Sequence, residues 1–142
     1  TKINPNYNEF VDSINTVSLN QNILITTGIV DFDLIEKLKN NFFQKIDNKI
    51  YYKKNSINFV YLVYKPTYND LESLLRNTKT LISCHGSITH ASNSFNIKKI
   101  DIIEKSKIDF YKKYTSYLKN YTEVYRSDFS ILKKNILNLI KE

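Results

Sequence analysis

The chain has no Met and no Trp, only two Gly and two Pro, and a single Cys in 142 residues. One cysteine, Cys84, excludes an internal disulfide and any cysteine framework, so a reducing, cytoplasmic setting is expected. No apolar run approaches the length needed to span a bilayer, the longest being residues 59–64. A basic leader with an apolar core is absent too, which leaves a soluble segment, or one peripheral to the inner face of a membrane. With so little glycine there is no G-x-x-x-x-G-K-[ST] and no G-x-G-x-x-G, which removes a P-loop and the standard dinucleotide fingerprint. Cys84, His85 and His90 lack ordinary zinc spacing and no second Cys or His cluster accompanies them, so no metal is expected. Cys84 and His85 are neighbours at a strand end, where successive side chains point to opposite sides, which argues against a nucleophile–base pair. The lack of Met, with Thr1 as first residue, reads as a piece of a longer polypeptide.

What is present is basic and unevenly spread. Residues 1–70 carry a formal charge of +1 and residues 71–142 one of +6, which predicts an anionic partner on the second half. A diphosphate nucleotide, an anionic membrane surface and nucleic acid would each satisfy that charge, as would a merely solvated lysine face. At this length one domain over residues 1–142 is the working count.

Hydrophobic periodicity alternates strand and helix. Apolar positions 7, 10, 11 and 14 predict a first helix, and residues 22–28 a buried strand ending at Gly28. Asp31 is read as the cap of a helix whose apolar face holds Phe32, Ile35, Leu38, Phe42 and Phe43. Residues 57–64 predict a strand, with a further short one near 50–52. Then follow a helix over 70–76, a strand over 80–84, a helix over 87–95, a strand over 100–103, a helix over 108–118, a strand over 122–125 and a closing helix capped by Asp128. Strands separated by helices define an α/β, Rossmann-like three-layer domain with a mostly parallel sheet. Ligands of such sheets bind outside the carboxyl ends of the strands, which directs attention to residues 26–31, 64–69, 85–89 and 104–107.

The sharpest of these segments runs from Thr80 to His90, where an apolar strand stops at His85-Gly86 and a helix begins. A strand entering a helix through a glycine turn gathers backbone N–H groups and a helix N-terminus, which suits a phosphate. Here His85 is a candidate donor to a leaving diphosphate, and Ser87 and Thr89 are candidates for capping the helix and touching phosphate. His90, one turn on, reads as a packing residue. Glu104 is a candidate acceptor from ribose or sugar hydroxyls or else a surface loop acid, and Lys105 and Lys107 are candidate phosphate contacts, with a solvated loop the preferred reading of either alone. Tyr111, Tyr114, Tyr117, Tyr121 and Tyr125 recur at helical spacing among lysines; packing on a sheet explains the stripe better than base stacking, and nucleic acid is set aside.

Asp70-Leu71-Glu72-Ser73-Leu74-Leu75, Lys79 to Ala91 and Lys99-Ile100-Asp101-Ile102-Ile103 together resemble the nucleotide-sugar-binding half of inverting glycosyltransferases of the GT-B fold. The nearest pattern is that of the ADP-heptose:lipopolysaccharide heptosyltransferase-like family. Its D-L-x-x-L-L helix precedes a strand and a D-S-G-P-M-H-type turn that wraps the donor diphosphate. The resemblance aligns Gly86 with the turn glycine, Ala91 with a small helix residue, and Lys2, in Lys2-Ile3-Asn4-Pro5, with a phosphate-facing lysine. Cys84-His85 replaces the Asp-Ser pair, Ser87 replaces Pro, and Thr89 stands where the family has His, unless a shifted gap brings His90 there. The resemblance implies a donor- and phosphate-binding set of Lys2, His85, Gly86, Ser87, Ile88 and Thr89, with Glu104 on ribose or sugar. It also implies a nucleotide sugar as substrate and no cofactor or metal. A missing N-terminal acceptor domain would supply the general base, so that residues 1–142 alone transfer no sugar. The setting would be cell-surface glycan or lipopolysaccharide synthesis. The competing expectation is a non-catalytic Rossmann-like interaction or regulatory module with a basic face.

Overall fold

A computed structural model describes residues 4–142, so the expected role of Lys2 lies outside the described residues. The chain divides into two compact units, Pro5–Thr67 and Tyr68–Glu142, each with its own sheet.

The first unit begins with α1 (Tyr7–Ser18). Asn6 accepts from the Glu9 backbone N–H at 2.8 Å while the Glu9 carboxylate accepts from Asn6 N–H at 2.9 Å, a reciprocal capping box that satisfies two orphan donors. β1 (Ile23–Thr26), α2 (Asp33–Asn41), β2 (Gln44–Lys45), β3 (Ile50–Asn55) and β4 (Asn58–Val63) follow. The strand order is β1-β4-β3-β2, with β1 parallel to β4 and the other pairs antiparallel. This corrects the expectation of a mostly parallel sheet for this half of the chain. The reason is local: β3 and β4 are joined by the two-residue turn Ser56-Ile57, with Ser56 at φ 58°, and so short a connection admits only antiparallel partners. Ile57, expected inside a strand, sits at the exposed turn. Ile14, Leu38, Phe42, Phe43, Tyr51, Val60 and Leu62 form the core. Phe42 and Phe43 reach it from just beyond α2 rather than from its face, packed edge to face at 4.8 Å. Asp31 caps nothing; its carboxylate accepts from Tyr64 Oη at 2.5 Å and Lys65 Nζ at 3.0 Å, and these bonds hold its pKa below the ordinary aspartate value.

The second unit is α/β and its sheet is wholly parallel. It runs α3 (Tyr68–Leu75), β5 (Thr80–Cys84), α4 (Ser87–Ala91), β6 (Lys98–Ile103), α5 (Ile108–Thr115), β7 (Tyr121–Tyr125) and α6 (Phe129–Lys141), with strand order β5-β6-β7. Single-turn 3₁₀ segments, Ser92–Ser94 and Lys105–Lys107, follow α4 and precede α5. Strand alternation sorts the two faces of this sheet. Ile100 and Val124 pack with Leu132 of α6, joined by Ile102, Ile136, Leu139 and Ile140. Lys99 and Asp101, offset by one residue from that apolar set, share their register with Tyr121 and Glu123 of β7 and with Leu81 and Ser83 of β5. α6 starts where expected, Asp128 accepting from the Ser130 N–H at 3.1 Å.

Because Leu62 is fully buried in a closed apolar cluster, Leu62→Ala is expected to cost about 2–5 kcal/mol in urea unfolding. Asp128→Ala, which removes the cap of α6, is expected to cost about 1 kcal/mol in the same measurement.

Candidate functional site

The site is built on the second unit and centres on Asp101. Position 101 lies on β6, hydrogen-bonded on both sides, and the residue has no solvent exposure. A carboxylate so placed must find donors within the protein. His85 Nδ1 donates to Asp101 Oδ2 at 2.7 Å, because an ionised carboxylate can only accept, and Tyr121 Oη donates to the same oxygen at 2.8 Å. Oδ1 is buried with no hydrogen-bond partner. Burial and the Asp101 carboxylate together push the Tyr121 phenol well above its usual range.

His85 directly follows β5 and is held on several sides. Its second ring nitrogen, Nε2, lies 3.3 Å from Nε2 of His90, the Tyr111 ring packs at 4.8 Å between centroids, and its backbone N–H donates to Ile102 O at 3.4 Å. His90 Nδ1 is in turn hydrogen-bonded to Tyr117 Oη, with the two rings stacked at 5.8 Å. A continuous chain of side chains therefore runs Tyr117, His90, His85, Asp101, Tyr121.

The other expected site residues are placed as follows. Gly86 is the N-cap of α4, in extended backbone at φ −178° that any residue can adopt, and a Cβ there would meet only Cys84 O at 3.6 Å. Gly86 therefore contributes no side-chain cap, and neither Ser87 nor Thr89 caps the helix, which corrects the capping role read from the sequence. Thr89 is fully buried and its hydroxyl pairs with that of Ser83 at 2.9 Å. Ser87 and Ile88, with Tyr68, Leu71, Glu72, Leu75 and Ala91, line a small pocket of about 20 Å³, room for roughly one water. Glu104 follows β6 and pairs with Lys107 at 3.3 Å, while Lys105 lies over the Tyr125 ring at 5.8 Å. The tyrosine stripe is broken up: Tyr111 and Tyr114 are on α5, Tyr117 follows it, and Tyr121 and Tyr125 are on β7. Cys84 Sγ sits 3.4 Å from the Arg126 guanidinium, on the other side of the strand from the His85 contacts.

Sequence reasoning missed Asp101, Tyr121 and Lys99. The signal was the Lys99-Ile100-Asp101-Ile102 alternation, two charges at i and i+2 within an otherwise apolar strand. Lys99 is buried and donates to the carbonyls of Ile97 at 3.0 Å and Lys119 at 2.7 Å; desolvation lowers its pKa.

Among the described residues no group of three or more His, Cys, Asp or Glu side chains is arranged to hold a metal ion, and no helix is long and apolar enough to cross a membrane. No protein-family model, no curated protein and no solved structure matches the chain.

Lys99 and Tyr121 predict opposite slopes of stability with pH. Lys99 binds a proton less readily folded than unfolded, so between its lowered folded pKa and 10.5 the unfolded state holds more protons and stability rises with pH. Tyr121 keeps its proton in the fold after the unfolded chain has lost it, so its contribution is lost as pH rises above 10. Tyr121→Phe is expected to flatten the alkaline decline in urea midpoints measured from pH 8 to 11, at a cost near neutrality of about 1.5–3 kcal/mol for the lost bond to a charged group. An alkaline limb as steep as in the parent chain would refute the assignment.

Proposed function

We propose that the Tyr68–Glu142 unit binds a phosphate-bearing ligand at the carboxyl edge of β5-β6-β7, as the nucleotide-sugar donor half of an inverting glycosyltransferase with a three-layer, Rossmann-like arrangement. One observation carries this reading. Because the three strands are parallel, the segments that leave them, beginning at His85, Glu104 and Arg126, emerge on one edge and concentrate His85, Lys105, Lys107 and Arg126 there. That edge also carries the β5–α4 turn, where the Thr89 N–H is already bonded to Gly86 O at 3.1 Å and the N–H groups of Ser87 and Ile88 are the ones left for a ligand. The order β5-β6-β7 advances in one direction, so these strands alone contain no point of strand-order reversal, and the binding surface is argued from the loops and their charge. With Nδ1 of His85 on Asp101 and Nε2 turned toward His90, the phosphate contacts are assigned to the turn backbone and to Arg126 and Lys105. His85 shapes the turn through its bond to Asp101.

A second reading, a non-catalytic interaction module, is favoured by a different observation in the first unit. After β1 the chain displays Ile29, Val30 and Phe32, with Ile29 92% exposed, an apolar patch of the kind that marks a protein contact.

The two separate in a calorimetric titration of the full chain, run in a chelator, with ADP, UDP, GDP and CMP against the matching nucleosides. Diphosphates are expected to bind at least tenfold tighter than nucleosides and to weaken with added salt, since the N–H groups and positive charge act on phosphate alone. A Cβ at position 86 would meet only Cys84 O at 3.6 Å, so a Gly86→Val chain that folds but has lost diphosphate binding would support close backbone approach at the turn. Nucleosides binding as tightly as diphosphates would overturn the reading.

A further inference from the structure

Two imidazoles that face each other through Nε2 while each Nδ1 is held from behind have the arrangement of paired metal ligands. His85 Nδ1 is held by the buried Asp101 carboxylate and His90 Nδ1 by the Tyr117 hydroxyl. In the neutral rings, Nδ1–H donated to the carboxylate leaves the lone pair of His85 on Nε2; without an ion, His90 Nε2–H donates to that lone pair and Tyr117 O–H donates to His90 Nδ1, whereas the other tautomer of His90, with Nδ1–H donated to Tyr117 Oη, presents a second Nε2 lone pair and is the form an ion would select. Carboxylates and hydroxyls behind ligating histidines fix the tautomer and raise ligand basicity. The two Nε2 atoms are 3.3 Å apart. Two nitrogens bound to one tetrahedral zinc at about 2.0–2.1 Å stand about 3.3 Å from each other. The ring centroids are 5.0 Å apart and the planes nearly perpendicular. A straight N–H···N line at the same nitrogen separation would put the centroids about 5.6 Å apart, so the two nitrogen axes are bent away from that line, as convergence on a shared point requires.

We infer that His85 and His90 form a two-histidine site for a divalent ion that prefers nitrogen ligands, zinc first among them, leaving two of four tetrahedral positions to water or to ligand oxygens. The spacing of five residues falls outside the usual zinc motifs; the β5–α4 turn folds the two rings together instead. The inference stands on the geometry of the histidines and does not depend on the donor-binding reading. Imidazole ligation without a thiolate favours zinc, copper or nickel over magnesium or calcium. Two protein ligands give a site weaker than the three- and four-ligand centres of zinc enzymes.

The test titrates the full chain with Zn²⁺ alone, with no nucleotide present, by calorimetry and by histidine side-chain ¹⁵N NMR. One ion per chain is expected, with a Kd in the micromolar range, and with the Nε2 resonances of both histidines moving while the Nδ1–H tautomer of His85 persists. His90→Gln and His85→Gln should each weaken binding tenfold or more. Asp101→Asn should weaken it about 10–100-fold with both ligands still in place, an effect that a purely structural role would not produce on metal affinity. If His85→Gln or Asp101→Asn fails to fold, His90→Gln and the NMR titration of the parent chain carry the decision. Cys84→Ser should leave affinity unchanged. Zinc bound with equal affinity by the His90→Gln chain, or no saturable binding below 100-micromolar zinc, or Nε2 signals that do not move, would overturn the inference. Because this titration contains no nucleotide and the diphosphate titration contains a chelator, either result can fail without the other.

Discussion

The second unit depends on one costly placement, a carboxylate with no solvent exposure on the middle strand of a parallel sheet. A buried charge without partners would destabilise the fold by several kcal/mol, so the neighbouring elements have to bring donors to Asp101. β7 brings the Tyr121 hydroxyl and the end of β5 brings the His85 ring. Both donors use the same oxygen, which ties β5 and β7 to β6 through side chains as well as through the backbone ladder. A one-residue slip of either neighbour would turn Tyr121 or His85 to the opposite side and leave the carboxylate without its donor.

The same alternation that buries Asp101 leaves the other residues of β6 to the apolar layer. Ile100 and Ile102 meet α6, whose Leu132, Ile136, Leu139 and Ile140 recur at helical spacing. One side of the sheet therefore follows the ordinary rule of apolar packing. The other carries a set of polar pairs: Ser83 with Thr89, His85 with Asp101, Lys99 with two backbone carbonyls. Polar groups buried in such numbers specify geometry more than they add stability, since each gains little net free energy when satisfied and costs more when left alone. Positioned imidazoles are a natural product of that economy of orientation.

How much of this was legible in the sequence follows from the range of each interaction. β5 over Thr80–Cys84 was read to the residue, and α6 with its Asp128 cap was read correctly, because periodicity and capping are local signals. The β3–β4 hairpin was not, since Ser56-Ile57 lacks the Asn-Gly or Asp-Gly chemistry that announces a two-residue turn, and an exposed Ile57 looked like strand. Asp31 had the residue type of a cap, but its true partners, Tyr64 and Lys65, are more than thirty positions away. Tyrosines at three- and four-residue intervals imitated one helix face although a turn separates Tyr117 from Tyr121 on β7. At the site, His85 stood out by its place before Gly86, whereas Asp101 and Tyr121, 16 and 20 residues distant from their partners, acquire meaning only through strand pairing.

That pairing also changes what His85 can do. A histidine at the end of a strand, read alone, is a free donor for an anion at the turn. With Nδ1 committed to Asp101 and Nε2 facing His90, its ring can meet an exogenous group only at the point where the two Nε2 atoms converge. On the tautomers inferred for metal binding, what binds there accepts lone pairs, as a cation does. An anion on the same edge has to be met by N–H groups and by the flexible cations Lys105, Lys107 and Arg126. The two chemistries are thus separated by the carboxylate behind the first imidazole: it presents a lone pair forward and leaves hydrogen-bond donation to the backbone beside it.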